Sequence, residues 1–283
     1  MIVFKTIETT QQYLASEKVA GKTVGFVPTM GALHEGHVSL VNKAKQDCEV
    51  VVVSIFVNPA QFNDPKDLAK YPVTIQADMQ KLETAGVDVI FLPSVLEMYP
   101  TTESKQMDYD LGYLDTVLEA AARPGHFKGV ALIVNKLLEI IKPHLLYMGQ
   151  KDFQQLQVVR QLVKDFNLPV TLVSCPIVRE NDGLAMSSRN VRLEGIYRKE
   201  ATQLSKALDL LKERALTLPL QDAKKAALTH LNSHPLIDVV YLETVNAQTL
   251  EPLDNLADAV EVAVLLAARV GGVHLLDNII LKP

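Results

Sequence analysis

The sequence has few cysteines, no long apolar run and no block of like charges. Its two cysteines, Cys48 and Cys175, are far apart and form no CxxC pair or Cys/His cluster, which argues against a structural zinc site. Two buried thiols in a reducing compartment are the simplest interpretation. No segment approaches the roughly 20 apolar residues of a membrane span, and the apolar run at Met1–Lys5 is too short for a signal peptide. We therefore expect a soluble, cytoplasmic protein with no membrane partner.

The charge balance bears on the kind of partner. With 28 basic and 33 acidic residues, the formal net charge is -5. Nucleic-acid backbones select for basic protein faces, so this balance argues against a nucleic-acid partner. It still allows a local basic pocket that binds one small polyphosphate.

The 283 residues, 48% of them hydrophobic, suffice for two domains with full cores. In the first part of the chain, strand-like and helix-like patterns alternate, which is typical of a doubly wound α/β domain. The predicted strands are Lys22–Val27, Val50–Val57, Val87–Leu92, His144–Met148 and Val170–Val173. Helices are predicted from Gly36 onward and over Thr74–Ala85, Lys128–Ile141 and Asp152–Phe166. Such sheets bind ligands beyond the carboxyl ends of their strands.

After about Val178 the pattern changes to that of a small α+β domain with an antiparallel sheet. The predicted helices are Tyr197–Leu216 and Asp222–Leu231, and the predicted strands are Ile237–Val245, Ala259–Ala268 and Val273–Leu281. Gly271 and Gly272 lie between the last two strands and are typical of a hairpin turn. We therefore expect a Rossmann-like domain with a parallel sheet over residues 1–177, and a small C-terminal domain over residues 178–283 that closes over the site.

The strongest local signal is the stretch PTMGALHEGH, which follows the first predicted strand and leads into a helix. Gly36 lets the backbone approach a ligand, and the helix N-terminus offers phosphate free N–H groups and a positive dipole. His34 and His37 can donate to an oxyanion that forms during a reaction. There are two alternatives. The histidines could chelate a metal, although no third ligand stands nearby, or they could be two ordinary surface histidines. The HxGH form resembles the nucleotide-binding signature of class I aminoacyl-tRNA synthetases and nucleotidylyltransferases.

Two further stretches follow predicted strands. In FVNPAQF, Asn58 and Gln61 can each donate and accept, which suits a ligand with carboxylate and hydroxyl groups. An Asn-Pro turn that leaves Gln61 in solvent fits equally well. In MGQKDFQQ, Gly149 permits close approach to a nucleotide and Lys151 supplies a charge for phosphates. Asp152 is suited to capping the next helix, and Gln155 lies about one turn into it.

Two loops complete the candidate set. In DGLAMSSRN, Ser187 and Ser188 beside Arg189 can hold phosphate oxygens, and a loop at a domain junction can close on a ligand. A solvated linker with an N-cap serine is the alternative. The stretch RPGHFKGV, which begins at Arg123, has basic groups and two glycines without a regular pattern. A mobile lid, an anion-binding loop and a plain surface loop are all compatible with it.

In this order and spacing, the motifs PTMGALHEGHVSL, SIFVNPAQF, RPGHFKGV, GQKDFQQ and DGLAMSSRN resemble the pantothenate synthetase family across both domains. The resemblance implies an ATP-dependent ligase that condenses pantoate with β-alanine through a pantoyl-adenylate and releases AMP and pyrophosphate. It also implies a homodimer, and a magnesium ion that bridges the ATP phosphates with few direct protein ligands. We therefore expect no dedicated metal site in the chain.

Carried over by position, the resemblance assigns one group of residues to ATP and a second to pantoate and β-alanine. The ATP group comprises Met30, Gly31, His34, Gly36, His37, Gly149, Lys151, Asp152, Val178, Met186, Ser187, Ser188 and Arg189. The second group comprises Gln61, Gln155, Asn58 and Arg123. Within the first group, the resemblance gives His37 the place of the proton donor, and His34 and Lys151 hold phosphates.

Three positions depart from the family pattern. Met148 stands where an aromatic residue is common, Gln150 where glutamate is common, and His274 where arginine is frequent. None of them removes a residue of the two groups. Met148 could alter packing around adenine, and the His274 change leaves any role of its segment open.

Three other functions use the same kind of nucleotide loop. A nucleotidylyltransferase would leave the nucleotide on an acceptor, and the paired Gln61 and Gln155 with the SSRN loop disfavour it. An aminoacyl-tRNA synthetase fragment would need an RNA-binding surface, which a net acidic chain does not suggest. A non-catalytic nucleotide sensor would bind ATP without releasing pyrophosphate.

Overall fold

The computed structural model describes residues 1–63, 65–101 and 109–282. The chain divides into two compact units. The first comprises Met1–Gly149 and Gln154–Cys175, and the second comprises Gln150–Phe153 and Pro176–Pro283. Within the described ranges, no helix is long and apolar enough to cross a membrane.

The first unit contains a six-stranded, all-parallel sheet, which confirms the predicted doubly wound domain. Its strands are β1 (Ile2–Phe4), β2 (Val24–Thr29), β3 (Val50–Ile55), β4 (Val89–Phe91), β5 (Leu145–Gly149) and β6 (Thr171–Cys175). They lie in the order β1-β4-β3-β2-β5-β6. The direction of winding therefore reverses between β2 and β5, and such sheets bind ligands at this switch point.

Eight helices of the described chain connect and extend these strands. They are α1 (Ile7–Val19), α2 (Glu35–Asp47), α3 (Pro65–Ala69), α4 (Ile75–Thr84), α5 (Val95–Met98), α6 (Glu119–Ala122), α7 (His126–Ile141) and α8 (Phe153–Asp165). The sequence did not predict β1 or α1. Only Thr10 and Leu14 of α1 are buried, so this helix lacks the apolar stripe on which such predictions rest.

The second unit has a three-stranded antiparallel sheet, as predicted, with strands β7 (Ile237–Asn246), β8 (Val262–Val270) and β9 (Val273–Leu281) in that order. Its helices are α9 (Gly195–Glu200), α10 (Gln203–Arg214) and α11 (Leu220–Asn232). Gly271 and Gly272 turn the β8–β9 hairpin with φ of +57° and +75°, the left-handed conformations that a tight hairpin turn requires.

The single helix predicted over Tyr197–Leu216 is wrong, because the chain turns at Ala201 and Thr202 between α9 and α10. The Thr202 hydroxyl donates to the Lys199 carbonyl at 2.8 Å. A threonine side chain that bonds the preceding turn competes with the helical ladder. The apolar periodicity runs through both helices and conceals this break.

The core of the second unit lies between its helices and one face of its sheet. Leu204, Leu208 and Leu211 of α10 are buried in one cluster with alternate residues of the strands. From β9 this cluster takes Val273, Leu275 and Leu281. Because side chains alternate along a strand, even-numbered residues of β9 point to the opposite face.

Candidate active site

His34 and His37 cap the N-terminus of α2 reciprocally. Nδ1 of His34, the N-cap residue, accepts from the Gly36 N–H at 3.2 Å, and Nδ1 of His37 accepts from the His34 N–H at 3.3 Å. The two ring centroids are 4.1 Å apart. Since Nδ1 of each ring is an acceptor, each neutral ring carries its proton on Nε2. Two ring N–H donors therefore lie at a helix N-terminus, where the dipole favours an anion.

The loop before α2 is fixed by two side chains of α4. Gly31 and Ala32 have φ of +80° and +49°, in the region that L side chains rarely adopt. The Asp78 carboxylate accepts from the Ala32 N–H at 2.9 Å and from the Leu33 N–H at 2.8 Å, and it is 1% exposed. The Lys81 ammonium donates to the Leu33 carbonyl. A buried carboxylate thus holds the unusual backbone that leads to His34.

Asn58 and Gln61 are buried, with exposures of 0% and 7%, so the alternative of a solvated Gln61 is wrong. Asn58 Oδ1 accepts from the Tyr99 hydroxyl at 2.8 Å, and its Nδ2 donates to Gln61 Oε1 at 3.2 Å and to the Gly129 carbonyl at 3.0 Å. Burial raises the pKa of Tyr99, so its hydroxyl keeps the proton that it donates. These bonds fix the Gln61 amide in one orientation.

The segment around Gln61 also touches the loop that precedes α2. Gln61 Nε2 lies 3.2 Å from the sulfur of Met30. On its other side, α7 approaches so closely that a Cβ on Gly129 would stand 2.3 Å from the Ala60 carbonyl oxygen. The structure therefore brings a residue assigned to ATP into contact with one assigned to pantoate.

Arg123 and His126 extend this network. His126 Nε2 is 3.2 Å from Arg123 Nη1, and its Nδ1 is 2.8 Å from the Gln61 carbonyl oxygen. Because a guanidinium can only donate, Nε2 accepts and Nδ1 carries the proton that it donates to Gln61. The interpretation of RPGHFKGV as a loop is wrong for His126 and Phe127, because α7 begins at His126, two residues before the predicted helix start at Lys128. The apolar side of this segment is buried, and that burial orders it.

Gln155 and its neighbour Gln154 lie in the first turn of α8, where Gln155 is half-buried. Gln154 Oε1 accepts from the Glu119 N–H at 3.0 Å, and its Nε2 donates to the Leu114 and Val117 carbonyls at 2.9 Å each. Gln154 therefore anchors the segment before α6 to the start of α8, from which Gln155 projects.

In the second unit, Lys151 and Asp152 belong to the segment 150–153. Lys151 Nζ is 3.4 Å from Asp152 Oδ1, and the two side chains are 19% and 49% exposed. Asn278 of β9 donates to the backbone carbonyls of Gln150 and Lys151 at 3.1 and 3.0 Å. The segment that carries Lys151 is thus bonded to the last strand.

Gly149 ends β5 in the first unit, and the other ATP-assigned residues, Val178 and Met186–Arg189, lie in a second loop of the second unit. The Val178 carbonyl accepts from the Met186 N–H at 3.0 Å, which closes the loop at its base. Ser187 is the N-cap of a short 3-10 helix over Ser188–Arg192, and its hydroxyl accepts from the Arg189 N–H at 3.2 Å. Ser187 therefore has the capping role of the alternative interpretation, and phosphate binding here stays a prediction.

Sequence reasoning missed four side chains that hold these segments: Asp78, Tyr99, His126 and Asn278. His126 lies inside one of the motifs that the sequence singles out, and its burial was the missing information. The other three are in ordinary helix, loop and strand sequences with no local signal. In the described ranges, no group of three or more His, Cys, Asp or Glu side chains could hold a metal ion.

Comparison with known proteins identifies the family. A family model described as pantoate-beta-alanine ligase matches residues 2–280. A pantothenate synthetase of Cytophaga hutchinsonii is 47% identical over 283 residues, which cover 99% of each chain. The crystal structure of pantothenate synthetase from Thermus thermophilus matches with a TM-score of 0.94 at 40% identity and covers 100% of both chains.

A further solved structure is the pantoate-beta-alanine ligase of Francisella tularensis in complex with beta-gamma ATP and beta-alanine. It matches with a TM-score of 0.81 at 36% identity, over 99% of this chain and 97% of its own. These matches run the length of both units. The chain therefore belongs to the pantoate–β-alanine ligase family.

Proposed function

We propose that this ATP-dependent pantoate–β-alanine ligase works in two steps, through a pantoyl-adenylate. A carboxylate oxygen of pantoate first attacks the α-phosphorus of ATP, which forms a P–O bond and expels pyrophosphate. The unprotonated amine of β-alanine then attacks the acyl carbon, the bond to the AMP oxygen breaks, and the nitrogen loses a proton. Activation is needed because a carboxylate is a poor electrophile toward an amine.

The observation that carries this proposal is the reciprocal capping of α2. It gives His34 and His37 Nε2–H donors beside a helix N-terminus, and negative charge spreads onto the phosphoryl oxygens in the first step. Preorganised donors of this kind are each worth about 10²–10³ in rate. The backbone at Met30, Gly31 and Gly36 completes this nucleotide site. The resemblance gives His37 the place of the proton donor, so proton transfer in the second step is its further proposed role.

The buried side-chain amides of Asn58 and Gln61 support binding of pantoate. Pantoate carries a carboxylate and hydroxyl groups, and Gln61 Nε2 donates to the sulfur of Met30, which is a weak acceptor. The Nε2–H group can therefore exchange this sulfur for a ligand oxygen at little cost, while Asn58 keeps the amide in its orientation. Arg123 supplies positive charge for a carboxylate, and Asn58 and Gln155 complete the set that the resemblance assigns to the two organic substrates.

Further ATP contacts are proposed from the resemblance for Gly149, Lys151, Asp152, Val178, Met186, Ser187, Ser188 and Arg189. Magnesium enters with ATP as part of the substrate. Mg²⁺ retains waters and binds phosphate oxygens with only one or two carboxylates. We do not assign the nearby Asp78 carboxylate to the ion, because it is buried and already accepts from two backbone N–H groups and from the Thr74 hydroxyl at 3.1 Å.

We also infer a homodimer, as the resemblance implies, and a cytoplasmic location. The free, buried thiols Cys48 and Cys175 fit a reducing compartment. Light scattering coupled to size exclusion tests the assembly, and a mass of one chain contradicts it.

The test of function compares wild type with His37→Ala, and with His144→Ala as a matched control. His144 Nδ1 likewise accepts a backbone N–H, that of Val24 at 2.9 Å, but His144 belongs to no substrate group. AMP, pyrophosphate and pantothenate are followed with ATP, magnesium and pantoate, with and without β-alanine. We expect equal amounts of all three products only with both substrates, and a turnover at least about 100-fold lower in His37→Ala. Wild-type turnover in that variant contradicts the role of His37.

A further inference from the structure

We propose that Asn278, in the last strand, is a positioning residue for Lys151. Asn278 is 2% exposed. Its Nδ2 donates to the Gln150 carbonyl at 3.1 Å and to the Lys151 carbonyl at 3.0 Å, and its Oδ1 accepts from Gln150 Nε2 at 3.0 Å. The inference rests on the proposed role of Lys151 in binding ATP phosphates.

The two carbonyl bonds constrain Lys151 itself. The Gln150 carbonyl belongs to the peptide before the Lys151 Cα, and the Lys151 carbonyl belongs to the peptide after it. One rigid amide that bonds both carbonyls therefore limits φ and ψ of Lys151, and so the direction in which its side chain leaves the backbone. Because the lysine side chain is long and flexible, a fixed backbone limits the positions that its ammonium group can reach.

The two backbone carbonyls fix the orientation of Asn278. An asparagine amide can flip and exchange its donor and acceptor ends. Because the carbonyls can only accept, they select the orientation in which both N–H donors of Asn278 face them, and Oδ1 then accepts from Gln150 Nε2. Every donor of this buried amide is used, as burial demands.

The strand that carries Asn278 is held in place by pairing and by packing. β9 pairs with β8 along its whole length, with Asn278 opposite Leu265. Odd-numbered residues of β9 such as Val273 and Leu275 are packed in the core of the second unit. A site residue on a strand that is paired and packed in this way is held more firmly than one on a loop.

The adjacent residue supports the other ATP-assigned loop of the same unit. Asp277 is 3% exposed and binds Arg179 through both oxygens, at 2.6 and 2.9 Å. Arg179 also donates to the Gly183 carbonyl at 3.1 Å, within the loop that leads to the SSRN motif. Two successive residues of β9 therefore bond the two segments of this unit that the resemblance assigns to ATP.

The experiment measures kcat and the KM values for ATP and pantoate in Asn278→Asp. This near-isosteric change replaces the donor with an oxygen that repels both carbonyls. The matched control is Asn246→Ala, since Asn246 Oδ1 accepts from the N–H groups of Gln248 and Thr249 in the same unit, at 2.8 and 3.3 Å. We expect the KM for ATP to rise about tenfold in Asn278→Asp, with the KM for pantoate unchanged, and neither KM to change in the control.

A double-mutant cycle with Lys151→Ala isolates the positioning effect. If Asn278 acts through Lys151, Asn278→Asp raises the KM for ATP much less in the Lys151→Ala background than in the wild type. Fully additive losses overturn the proposal, as does a wild-type KM for ATP in Asn278→Asp. If Lys151→Ala alone changes neither kcat nor the KM for ATP, the proposed role of Lys151 fails instead. Thermal unfolding confirms that each variant is folded, and Asn278→Ala replaces Asn278→Asp if the latter does not fold.

Discussion

The backbone N–H of His34 donates to Nδ1 of His37 at 3.3 Å, so the N-cap residue and the third residue of α2 depend on each other for orientation. Each ring is therefore both a helix cap and a candidate donor to phosphate. These two roles separate experimentally, because other side chains cap a helix without an N–H in the place of Nε2.

His34→Asn is predicted to keep stability and lose activity. Asparagine is among the best N-cap residues, but its short amide cannot replace the Nε2 donor. We expect kcat to fall about 100-fold or more while the melting temperature stays near that of wild type. His34→Ala, which loses the cap as well, should lower both. Steady-state kinetics and thermal unfolding of both variants check this, and near-normal kcat in His34→Asn would show that the ring only caps the helix.

Asp78→Asn is predicted to loosen the loop that carries Gly31 and Ala32. The substitution puts an amide donor against one of two backbone N–H groups that the carboxylate now satisfies. A buried donor left without an acceptor costs about 1–3 kcal/mol, which urea unfolding measures directly. Because the loop positions His34, kcat should fall as well. Glu83→Gln, at an exposed position of the same helix, is the control; equal stabilities of the two variants contradict the role of Asp78.

Gly129→Ala is predicted to raise the KM for pantoate more than the KM for ATP. The added methyl group would lie 2.3 Å from the Ala60 carbonyl, so the turn that carries Gln61 must shift. A displacement of the order of 1 Å in a binding group can cost about 10²-fold in rate. Kinetics with each substrate varied in turn test this. A selective increase in the KM for ATP would indicate that Gln61 contacts ATP instead of pantoate.

The two cysteines are predicted to be unreactive in the folded protein. Burial raises the pKa of the Cys48 and Cys175 thiols. A raised pKa lowers the fraction of thiolate, which is the reactive form, at any pH below it. A thiol reagent at about pH 8, near the pKa of a free thiol, should therefore label the native chain slowly and label both cysteines quickly in denaturant. Fast labelling of the native chain would contradict their burial.

Much of the first unit follows from local sequence pattern. The continuous β-branched run that forms β3 predicted a strand covered on both faces, and Val51, Val52 and Val53 are 0% exposed. The alternation of strands and helices then fixed the doubly wound class. The break at Ala201 and Thr202 could not be predicted in this way, because the hydrophobic periodicity continues through it.

In the candidate site, too, local sequence pattern predicts some residues and misses others. Residues such as His34, Gln61 and Lys151 lie in short motifs at strand ends, so residue type and spacing were enough to single them out. Their supports lie far away in the chain: Asp78 bonds Leu33 across 45 positions, and Asn278 bonds Lys151 across 127. A single sequence carries no signal for such pairs, since an aspartate in a helix or an asparagine in a strand has no distinctive neighbours.

The most direct test of the account follows an oxygen atom. Pantoate labelled with ¹⁸O in its carboxylate is converted with ATP, magnesium and β-alanine, and the AMP and pyrophosphate are analysed by mass spectrometry. A pantoyl-adenylate intermediate requires that one carboxylate oxygen remain on phosphorus when the amine displaces AMP, so AMP should carry one ¹⁸O and pyrophosphate none. Unlabelled AMP formed alongside pantothenate would contradict the adenylate mechanism.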